Sequence, residues 1–571
     1  MHTLLPYLKP FKKQCIIGPF AKLSEAILEV ILPTIMAFVI DEGVMKHDFQ
    51  LVLAYGGLMI FMVFIGFGFS ITCQYNAAKA SQGFGTNLRN ALFEHITTFS
   101  YQDIDHFSTS ALTNRLTNDV NQLQIGVAML IRLVVRSPFI VIGALMMAFF
   151  LDYECALILL GSVPFIIIVL FLFIKYSSPI YIWYQKKLDA FANLLDDNFA
   201  GIRVIRAFVS QRLEKRRVDD AAFDLQQQMM KVSKLSALLN PVNALIVNGA
   251  ILVLLYISPL RLESGTLAPG VIIAMINYAS QILVALIAVS NMIVIFTKAN
   301  ASIPRIVEVL EYNPTFQEGN KSTPKYTKET LNFSHVSFSY GQGEEALSDI
   351  SFIMHEGERI GIIGGTGCGK STLAYLMCHL YEPTKGSISL YEQPINEYTN
   401  AALLENITMV PQTNELFSGT IKENLCHGSH TCQEDINKAL RDAQAMEFIE
   451  QLPKGLDTLL ERSASNLSGG QKQRLCIARA LLYQPKTLIL DDSCSALDFK
   501  TDALLREALR TRASLSNQII ISQRVTTLLN CDRILVLHDG RMVGFDTHNA
   551  LYETCSIYQE ICKSQNIGRL S

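Results

Sequence analysis

The sequence predicts a multi-domain protein: a six-helix, all-α transmembrane bundle with long cytoplasmic helical extensions, followed by an α/β domain. The first 310 residues hold six apolar stretches, and the chain beyond residue 330 alternates short β-rich runs with helical stretches. Half of the 571 residues (50%) are hydrophobic and only 17% are charged. A single core seldom grows past about 250–300 residues, so more than one folding unit is expected. We predict a transmembrane domain over residues 1–310, a linker over 311–330 and a second domain over 331–571.

Each apolar stretch is long enough to cross a bilayer, which takes about 20 mostly apolar residues. The plainest, residues 156–174, reads ALILLGSVPFIIIVLFLFI and carries no charge. Such a run is too long for an ordinary core strand, so the lipid bilayer is the expected partner of this half of the chain. The six stretches centre near residues 17–40, 51–73, 133–151, 155–175, 236–259 and 267–297.

Polar gaps between the apolar stretches predict the topology. The second and fourth gaps run for roughly sixty residues each and contain most of the Lys and Arg residues of this half. Cytoplasmic loops carry an excess of these cations, so both gaps are expected to face the cytoplasm. Apolar residues recur there at helical spacing, which predicts helices that extend past the bilayer and turn back near residues 101–110 and 206–212.

Composition excludes some classes of partner. The net charge is −3 and no basic tail is present, so no nucleic-acid partner is expected. Twelve cysteines are scattered along the chain, nine of them beyond residue 330, without the spacing of a disulfide framework. This pattern is typical of a protein whose cysteines face a reducing cytosol.

Residues 364–372, GGTGCGKST, match the phosphate-binding pattern G-x-x-x-x-G-K-[ST] between a strand candidate, RIGII, and a helical run, TLAYLM. Glycines let successive backbone N–H groups turn toward one anion, and the helix N-terminus adds the positive end of its dipole. We expect Lys370 to meet the outer phosphates of a nucleotide and the Ser371 hydroxyl to bind Mg²⁺. The predicted nucleotide-binding residues of this loop are Gly364, Gly365, Thr366, Gly367, Cys368, Gly369, Lys370, Ser371 and Thr372.

An acidic motif follows about 120 residues later. TLILDD (487–492) is an apolar strand candidate that ends in two carboxylates, and Asp491 is expected to join Ser371 in holding Mg²⁺. Many buried strands end in Asp, so this motif gains its meaning from the motifs around it.

The segment NLSGGQKQR (466–474) carries a family resemblance. The chain resembles the ABC transporter superfamily, and the order of its motifs, with segments such as RLTNDV (115–120), is similar to exporters with six membrane helices per half. The resemblance implies that LSGGQ, with Ser468, Gly470 and Gln471, closes over the γ-phosphate of ATP bound to a second subunit. It also implies an ABC ATPase fold of the P-loop type for the second domain, with ATP and Mg²⁺ as cofactors.

Three further positions match the same family pattern. Tyr340 in FSYG resembles the aromatic residue on which adenine stacks, although a lone aromatic is more often part of a core. Gln412 in MVPQTNELF resembles the glutamine that senses Mg²⁺ and contacts the cytoplasmic tips of the membrane domain. Asp498 in SALD resembles the acid that links the two nucleotide sites.

Two positions depart from the pattern of active family members. Where those have a glutamate after the Mg²⁺-binding aspartate, this chain has Asp492, whose carboxylate lies ~1.5 Å closer to its backbone. Where they have a histidine after the next strand, it has Gln523, an amide that cannot carry a positive charge. Loss of a positioned acid–base group commonly costs about 10²–10⁴-fold in rate. This site is therefore expected to bind ATP and hydrolyse it slowly.

The intact LSGGQ segment can still complete the site of another subunit. The chain therefore resembles the degenerate subunit of a bacterial heterodimeric multidrug exporter, and we predict a second half-transporter with the complete Glu and His set. Hydrophobic or cationic small molecules are the expected substrates, extruded across the cell membrane. A homodimer that uses Asp as the base, a lipid or peptide exporter, and an ATP-gated channel are the alternatives.

Three smaller features have two interpretations each. Glu25 and Glu29 stand four apart on the first predicted helix, where they either line a pathway for a cationic or polar substrate, or else stabilise a helix contact or face cytoplasmic water. Cys368 is either a tolerated small residue or a thiol whose oxidation blocks ATP binding. CHGSHTC (426–432) has the residue types of a metal site, but the capping pattern that begins at Thr431 favours a solvated loop.

Overall fold

The computed structural model describes residues 2–263, 266–315, 319–322, 324–341, 343–427, 432–493, 497–512 and 515–568. Contacts divide the chain into two compact units. The first comprises Met1–Thr97 and Ser110–Tyr312, and the second comprises Thr98–Thr109 and Asn313–Ser571. The short segment Thr98–Thr109, which separates two long helices in the sequence, therefore belongs to the second unit.

The first unit is helical, and its described residues include six helices long and apolar enough to cross a membrane. This confirms the predicted six-helix bundle. Two of the helices have 48 residues each, about 72 Å at 1.5 Å per residue, against about 30 Å of hydrocarbon, so the predicted extensions are present. The six spans are Leu5–Val44, Phe49–Ile96, Thr109–Leu151, Tyr153–Ala200, Gln211–Glu263 and Pro269–Leu310.

Carboxylates at helix starts fix where the second and fourth spans begin. Asp48 Oδ1 accepts hydrogen bonds from the backbone N–H groups of Gln50 and Leu51 at 3.0 and 3.2 Å. Asp152 Oδ1 accepts one from Cys155 N at 2.8 Å. Each carboxylate satisfies N–H groups that the first helical turn leaves without a partner, so it stabilises the sharp reversal of the chain before the span.

Small side chains let the spans pack closely. Wholly buried alanines from the first, third, fourth and sixth spans lie in one cluster: Ala26, Ala144, Ala156 and Ala274. Small residues at helix contacts in lipid allow the backbones to approach and gain dispersion contacts. In the same cluster the buried hydroxyl of Tyr278 donates to Val30 O at 2.9 Å, which fixes the sixth span against the first.

Both predicted cytoplasmic turns are short helices. Tyr101–Phe107 follows the second span and Ile202–Ala207 follows the fourth. Tyr101–Phe107 begins with a capping box, in which the side chains of Ser100 and Asp103 each accept a hydrogen bond from the other's backbone N–H. Asp103 also accepts a hydrogen bond from Thr315 N at 3.2 Å, so the polar segment after the sixth span holds this helix in place.

The described part of the second unit contains twelve strands. They are β1 (Glu329–Ser339), β2 (Glu345–His355), β3 (Arg359–Gly364), β4 (Lys385–Leu390), β5 (Gln393–Pro394), β6 (Ile407–Val410), β7 (Gly419–Thr420), β8 (Leu459–Leu460), β9 (Thr487–Asp491), β10 (Asn517–Ile521), β11 (Arg533–His538) and β12 (Arg541–Asp546). One sheet has the order β12-β11-β3-β10-β9-β6, the second has the order β2-β1-β4-β5, and β7 pairs with β8. The neighbours among β6, β9, β10, β3 and β11 pair in parallel, which confirms the predicted α/β fold.

Helices of the second unit pack around two main buried clusters. One cluster joins β1, β2 and β3 to the helix Lys370–Met377. The other surrounds the helix Gly469–Leu482. The helices longer than three residues after the linker are Lys370–Met377, Asn400–Asn406, Ile421–Leu425, Gln433–Asp442, Met446–Glu450, Gly469–Leu482, Phe499–Thr511, Val525–Leu528, His548–Thr554 and Ser556–Ser564.

The candidate metal segment 426–432 lies only partly within the structure. Residues 428–431, with His430 and the predicted cap Thr431, lie outside the described residues. The following helix starts at Gln433, with Cys432 at its N-cap position and no side-chain cap. Among the described residues, no group of three or more His, Cys, Asp or Glu side chains is arranged to hold a metal ion.

Candidate nucleotide-binding site

The candidate site lies at the carboxyl edge of the parallel strands. β3 ends at Gly364, and its neighbours in the sheet, β10 and β11, run parallel to it. Parallel strands bring their carboxyl ends to one edge, where ligands of open α/β sheets bind. Asp491 at the end of β9 and Gln523, two residues after β10, are therefore brought to the same edge as the loop after β3.

The loop after β3 depends on glycine. Gly367 and Gly369 have φ angles of 81° and 98°, in the left-handed region that favours glycine. A Cβ on Gly369 would lie 2.6 Å from a side-chain carbon of Leu347 and 2.8 Å from the carbonyl oxygen of Ala346. A larger residue at this position would therefore push the loop away from β2 and change the direction of its backbone N–H groups.

The Lys370 ammonium lies against this loop. Its Nζ donates to the carbonyl oxygens of Gly364 and Gly365 at 3.0 and 2.5 Å, and lies 3.7 Å from Cys368 Sγ. The cation is thus held at the mouth of the loop, where a phosphate would meet it. Cys368 is 6% exposed, so its thiol is shielded from solvent and the interpretation as a tolerated small residue gains support.

A cavity of about 260 Å³ opens beside the loop, and most of the predicted site residues line it. Ala346, Ile521 and Ser522 line it as well, without having been predicted from the sequence. The predicted residues in its wall are Tyr340, Thr366, Gly367, Gly369, Lys370, Ser371, Thr372, Gln412, Asp491, Asp492 and Gln523. The structure therefore brings together residues from five separate stretches of the sequence.

Asp491 is a buried carboxylate with spare hydrogen-bonding capacity. It is 2% exposed, and its Oδ2 atom has no hydrogen-bond partner among the residues that the structure describes. Burial raises the pKa of this carboxyl, while a hydrogen bond from Ser371 opposes the rise. An orphaned buried oxygen of this kind suits a bound cation. Ser371, Gln412 and Asp491 offer oxygen donors, which Mg²⁺ prefers, so these residues fit the predicted ion.

Asp492 occupies a strained backbone position. Its φ angle is 45°, and its N–H donates to Ile521 O at 3.0 Å. Burial raises the pKa of the Asp492 carboxyl, and the positive charges of Arg524 and Lys370 oppose the rise. The hydrogen bond therefore holds Asp492 close to β10. Its carboxylate interacts electrostatically with Arg524 and Lys370 of the same chain. Gln523 is exposed at the same edge of the sheet.

Tyr340 presents an aromatic ring to the cavity. The residue is 43% exposed, and its hydroxyl lies 3.0 Å from Thr372 Oγ1. Phe338 contacts the ring edge-on, with centroids 4.8 Å apart. The ring is thus fixed on one side and accessible on the other, as expected of an aromatic residue that stacks on a base. The alternative, a buried core aromatic, does not fit this exposure.

The LSGGQ segment lies elsewhere in the second unit. Ser468 Oγ accepts a hydrogen bond from Gln471 N at 3.3 Å, and Gln471 Oε1 accepts one from Ser468 N at 2.9 Å. This capping box begins the helix Gly469–Leu482, whose first turn contains Gly470. Asp498 caps another helix by accepting from Thr501 N at 3.1 Å. The residues described as lining the cavity beside Lys370 include none of these four predicted positions.

Two families match this chain. The ABC transporter transmembrane region matches residues 15–286, and the ABC transporter family matches residues 347–495. The ABC transporter ATP-binding protein YfiB of Bacillus subtilis (strain 168), described as uncharacterized, is 36% identical over 567 residues, which cover 99% of this chain and 98% of that protein.

The chain belongs to the ABC transporter family. Other relatives of this ABC transporter also match along its whole length. The protein Rv1273c of Mycobacterium tuberculosis is 31% identical over 574 residues, covering 99% of this chain and 98% of that protein. The ATP-dependent lipid A-core flippase of Yersinia pestis is 28% identical over 569 residues, covering 98% and 97%. With six spans before an ATPase domain, the ABC transporter has the exporter fold and is a multi-pass membrane protein whose ATPase domain is cytoplasmic.

Both candidate carboxylates of the ABC transporter's first span are paired with cations. Glu25 lies 2.7 Å from Lys22 Nζ on the same helix. Glu29 lies 2.8 Å from Arg136 on the third span. A paired carboxylate is far less costly in a membrane than a lone one. Glu29 therefore contributes to a contact between helices, which was the second interpretation of this pair of residues.

Sequence reasoning missed some residues at the ABC transporter's nucleotide site. Ser522 directly follows β10 and lines the cavity, and its position after an apolar strand was a signal that could have found it. Arg524 acts on Asp492 electrostatically, and its position beside Gln523 could have suggested this. Ala346 lines the cavity through its position on β2, and an alanine in a strand gives no signal in the sequence.

Proposed function

We propose that this chain is one half of a heterodimeric ABC exporter that moves hydrophobic or cationic small molecules out of the cell. Its own site binds ATP with Mg²⁺ and hydrolyses it slowly, and its LSGGQ segment completes a faster site on the partner. The observation that carries the proposal is the presence of Asp492 and Gln523 in the wall of the nucleotide cavity. We propose that residues 1–310 form the transmembrane domain, residues 311–330 a linker and residues 331–571 the nucleotide-binding domain.

ATP binding is supported by the arrangement of donors around the cavity. Gly367 and Gly369 turn the loop so that backbone N–H groups can converge on an anion, and Lys370 supplies a full positive charge beside them. The open face of Tyr340 offers a surface for the base. When bound, Mg²⁺ would neutralise charge on the phosphates, and Ser371 and Asp491 are the residues that would hold it.

Slow hydrolysis follows from the chemistry of Asp492 and Gln523. The Asp492 carboxylate is one methylene shorter than glutamate, so it reaches less far toward a water beside the γ-phosphate and is poorly placed to take a proton from it, although burial raises its pKa. Gln523 can donate a hydrogen bond to a γ-phosphate but brings no positive charge. Both groups can hold nucleotide, and neither is suited to activating the attacking water.

A second subunit is supported by the separation of the LSGGQ segment from the loop. In the residues described, Ser468 and Gln471 do not line the cavity beside Lys370. Two phosphate-binding surfaces on one domain therefore need two domains to form complete sites. A homodimer would have two slow sites, which favours a partner with the complete Glu and His set.

The proposed cycle follows from these parts. Binding of two ATP molecules draws the two nucleotide-binding domains together, and the turns near residues 101–110 and 206–212 pass the change to the spans. Hydrolysis at the partner's site resets the cycle. The slow site keeps its ATP bound and the domains partly engaged.

A lipid substrate is the second candidate. It is supported by the similarity to a relative described as an ATP-dependent lipid A-core flippase. It is supported also by the pairing of Glu25 and Glu29 with cations, since neither carboxylate is left open for a cationic substrate. The Glu29→Gln variant tests whether Glu29 contacts a cationic substrate: transport of a cationic dye falls if it does, and unchanged transport of the dye removes this role of Glu29.

The experiment that tests the proposal is purification of the tagged full-length chain from its native membrane, followed by identification of what accompanies it. A one-to-one companion with glutamate and histidine at the positions corresponding to Asp492 and Gln523 is expected. ATP turnover is then measured in lipid nanodiscs with and without the companion. Brisk turnover by the unaccompanied chain, abolished by Asp492→Asn, would overturn the slow-site proposal.

A further inference from the structure

Four tyrosines of the second unit form a continuous set of ring contacts. Tyr340, in the wall of the nucleotide cavity, lies edge-on to Tyr381, with centroids 5.4 Å apart and an interplanar angle of 85°. Tyr381 lies 6.0 Å from both Tyr101 and Tyr375. Tyr101 and Tyr375 stack 6.4 Å apart. The set begins at the nucleotide cavity and ends on the short helix Tyr101–Phe107.

Tyr381 also makes a direct polar link to that helix. Its hydroxyl donates to Asp105 Oδ2 at 2.6 Å, across 276 residues of sequence. Tyr381 is 5% exposed while Asp105 is exposed, so the bond is partly buried. Hydrogen bonds to an ionised carboxylate are shorter and stronger than neutral ones, and they weaken steeply when the geometry is lost. A small rotation of the Tyr381 side chain therefore changes how firmly Asp105 is held.

We propose that Tyr381 is a coupling residue, which transmits the presence of a purine base on Tyr340 to the helix Tyr101–Phe107 through its hydrogen bond to Asp105. This inference rests on the proposed function, because it requires ATP to bind in the cavity. A base stacked on the open face of Tyr340 restricts the orientation of that ring. Since edge-on ring pairs have a preferred geometry, Tyr381 is then held in the rotamer that reaches Asp105.

The sequence position of the helix makes this link useful. Tyr101–Phe107 lies between the second span, which ends at Ile96, and the third, which begins at Thr109. Ser100 and Asp103 already cap the helix, so Asp105 is a further contact whose strength can vary without unfolding it. A change at Tyr340 on base binding would therefore reach a helix that connects two membrane spans in the sequence.

Hydrogen–deuterium exchange of the full-length chain with its companion, in nanodiscs, tests the inference. The probe is Mg²⁺ with the non-hydrolysable analogue AMP-PNP. We expect the analogue to slow amide exchange in residues 98–109 by about fivefold or more, within the usual range of coupling between sites. Tyr381→Phe keeps the ring and removes the hydroxyl, and it is expected to reduce this slowing to less than about twofold while AMP-PNP still binds.

The controls separate coupling from stability. Tyr398→Phe removes another buried hydroxyl of the same unit, which donates to Leu390 O at 3.0 Å, and it is expected to keep the full nucleotide effect. Asp105→Ala is expected to act like Tyr381→Phe, and the double variant no more strongly than either. The inference is overturned if Tyr381→Phe keeps the slowing, or if it speeds exchange equally with and without nucleotide, as a merely structural role would.

Failure of the proposed function gives a different result. In that case the wild-type complex does not bind AMP-PNP, or Lys370→Ala leaves the binding unchanged, and both proposals fall together. If Lys370→Ala removes the nucleotide bound at this chain's own site, and Tyr381→Phe leaves the response unaltered, only the coupling role of Tyr381 falls.

Discussion

At the scale of single residues, Asp492 and Gln523 are the two positions to which our proposal attributes slow hydrolysis at this chain's own site. Both residues line the cavity beside Lys370. Glutamate and histidine at these two positions, the usual side chains of the family, would therefore lie where the reaction would occur. We predict that Asp492→Glu with Gln523→His raises ATP turnover of the chain reconstituted alone by about tenfold or more, since each acid–base group is commonly worth about 10²–10⁴-fold. A steady-state phosphate-release assay measures this.

The control for this gain is loss of the residue that we propose to bind Mg²⁺. Asp491→Asn added to the double variant is expected to return turnover to background, because Asp491 is the buried oxygen donor at the end of β9. Turnover that stays at the wild-type level in the double variant would show that other features keep the site slow.

Tyr340 offers a second test at this scale. The residue is 43% exposed and lines the cavity, and stacking of an aromatic ring on a base is worth about 1–3 kcal/mol, so Tyr340→Leu is expected to weaken MgATP binding by about 5- to 150-fold. Displacement of a fluorescent ATP analogue gives the Kd. Tyr340→Phe keeps the ring, loses only the contact with Thr372 and should retain most of the affinity. Equal affinities for Leu and Phe would exclude stacking.

The sequence indicated which single residues are candidates for the site, but it did not indicate their surroundings. Gly369 and Lys370 are part of a pattern with a fixed spacing, so their roles follow from neighbours in the sequence. The pairing of Glu29 with Arg136 joins two different spans, 107 residues apart, and no local pattern predicts it. The contact between Asp492 and β10 likewise depends on strand order, which the sequence gives only through resemblance.

At the scale of elements, an ion pair joins the fourth and fifth spans at the end opposite their connecting turn. Arg261 donates to both carboxylate oxygens of Asp152, at 2.7 and 2.9 Å, and both side chains are mostly buried. Removing one partner of a buried pair costs about 3–5 kcal/mol, because the other charge is left uncompensated. We predict that Arg261→Ala lowers the unfolding free energy by an amount near the lower end of this range.

An SDS titration that unfolds the protein in bicelles measures this change in unfolding free energy. Lys187→Ala is the matched control, because the pair of Lys187 with Asp224 joins the same two spans. The Lys187 and Asp224 side chains are 37% and 58% exposed, and exposed pairs contribute about 0–1 kcal/mol. The double variant Arg261→Met with Asp152→Asn should recover much of the loss. Equal effects of Arg261→Ala and Lys187→Ala would contradict this interpretation.

The elements themselves were largely predictable, because their signals are local. Apolar runs of about 20 residues predict spans, and Phe49–Ile96 extends its run as a continuous helix, as the apolar spacing of the gap indicates. The assignment of Thr98–Thr109 to the second unit was not predictable. It rests on contacts between residues far apart in the sequence, such as that of Tyr381 with Asp105, which only the folded chain brings together.

At the scale of the whole molecule, the chain carries two separate surfaces for one reaction. The loop at Lys370 and the capping box at Ser468 lie in the same unit, yet the described lining of the Lys370 cavity does not include Ser468. Under our proposal, a chain of this kind contributes to two ATP sites at once. The two contributions are therefore expected to respond differently to substitution.

We predict that Ser468→Ala lowers ATP turnover of the complex with its companion by about tenfold or more, whereas Lys370→Ala lowers it much less. Ser468 faces the site that hydrolyses ATP quickly under our proposal, and loss of a donor to the developing charge commonly costs about 10²–10³-fold. Lys370 serves the slow site, so its loss removes bound ATP there but leaves the faster chemistry in place. Turnover in nanodiscs, with companion present in a one-to-one ratio, measures both.

Stability is the alternative reason for an effect of Ser468→Ala, since loss of an N-cap costs about 1 kcal/mol. Ser468→Thr keeps the capping oxygen, and Thr420→Ala removes the cap of another helix in the same unit, where Glu423 completes an equivalent capping box. If Ser468→Ala acts through stability alone, Thr420→Ala lowers turnover equally. If Lys370→Ala instead abolishes turnover and Ser468→Ala spares it, the fast site belongs to this chain, and the proposed division of work between the two subunits is reversed.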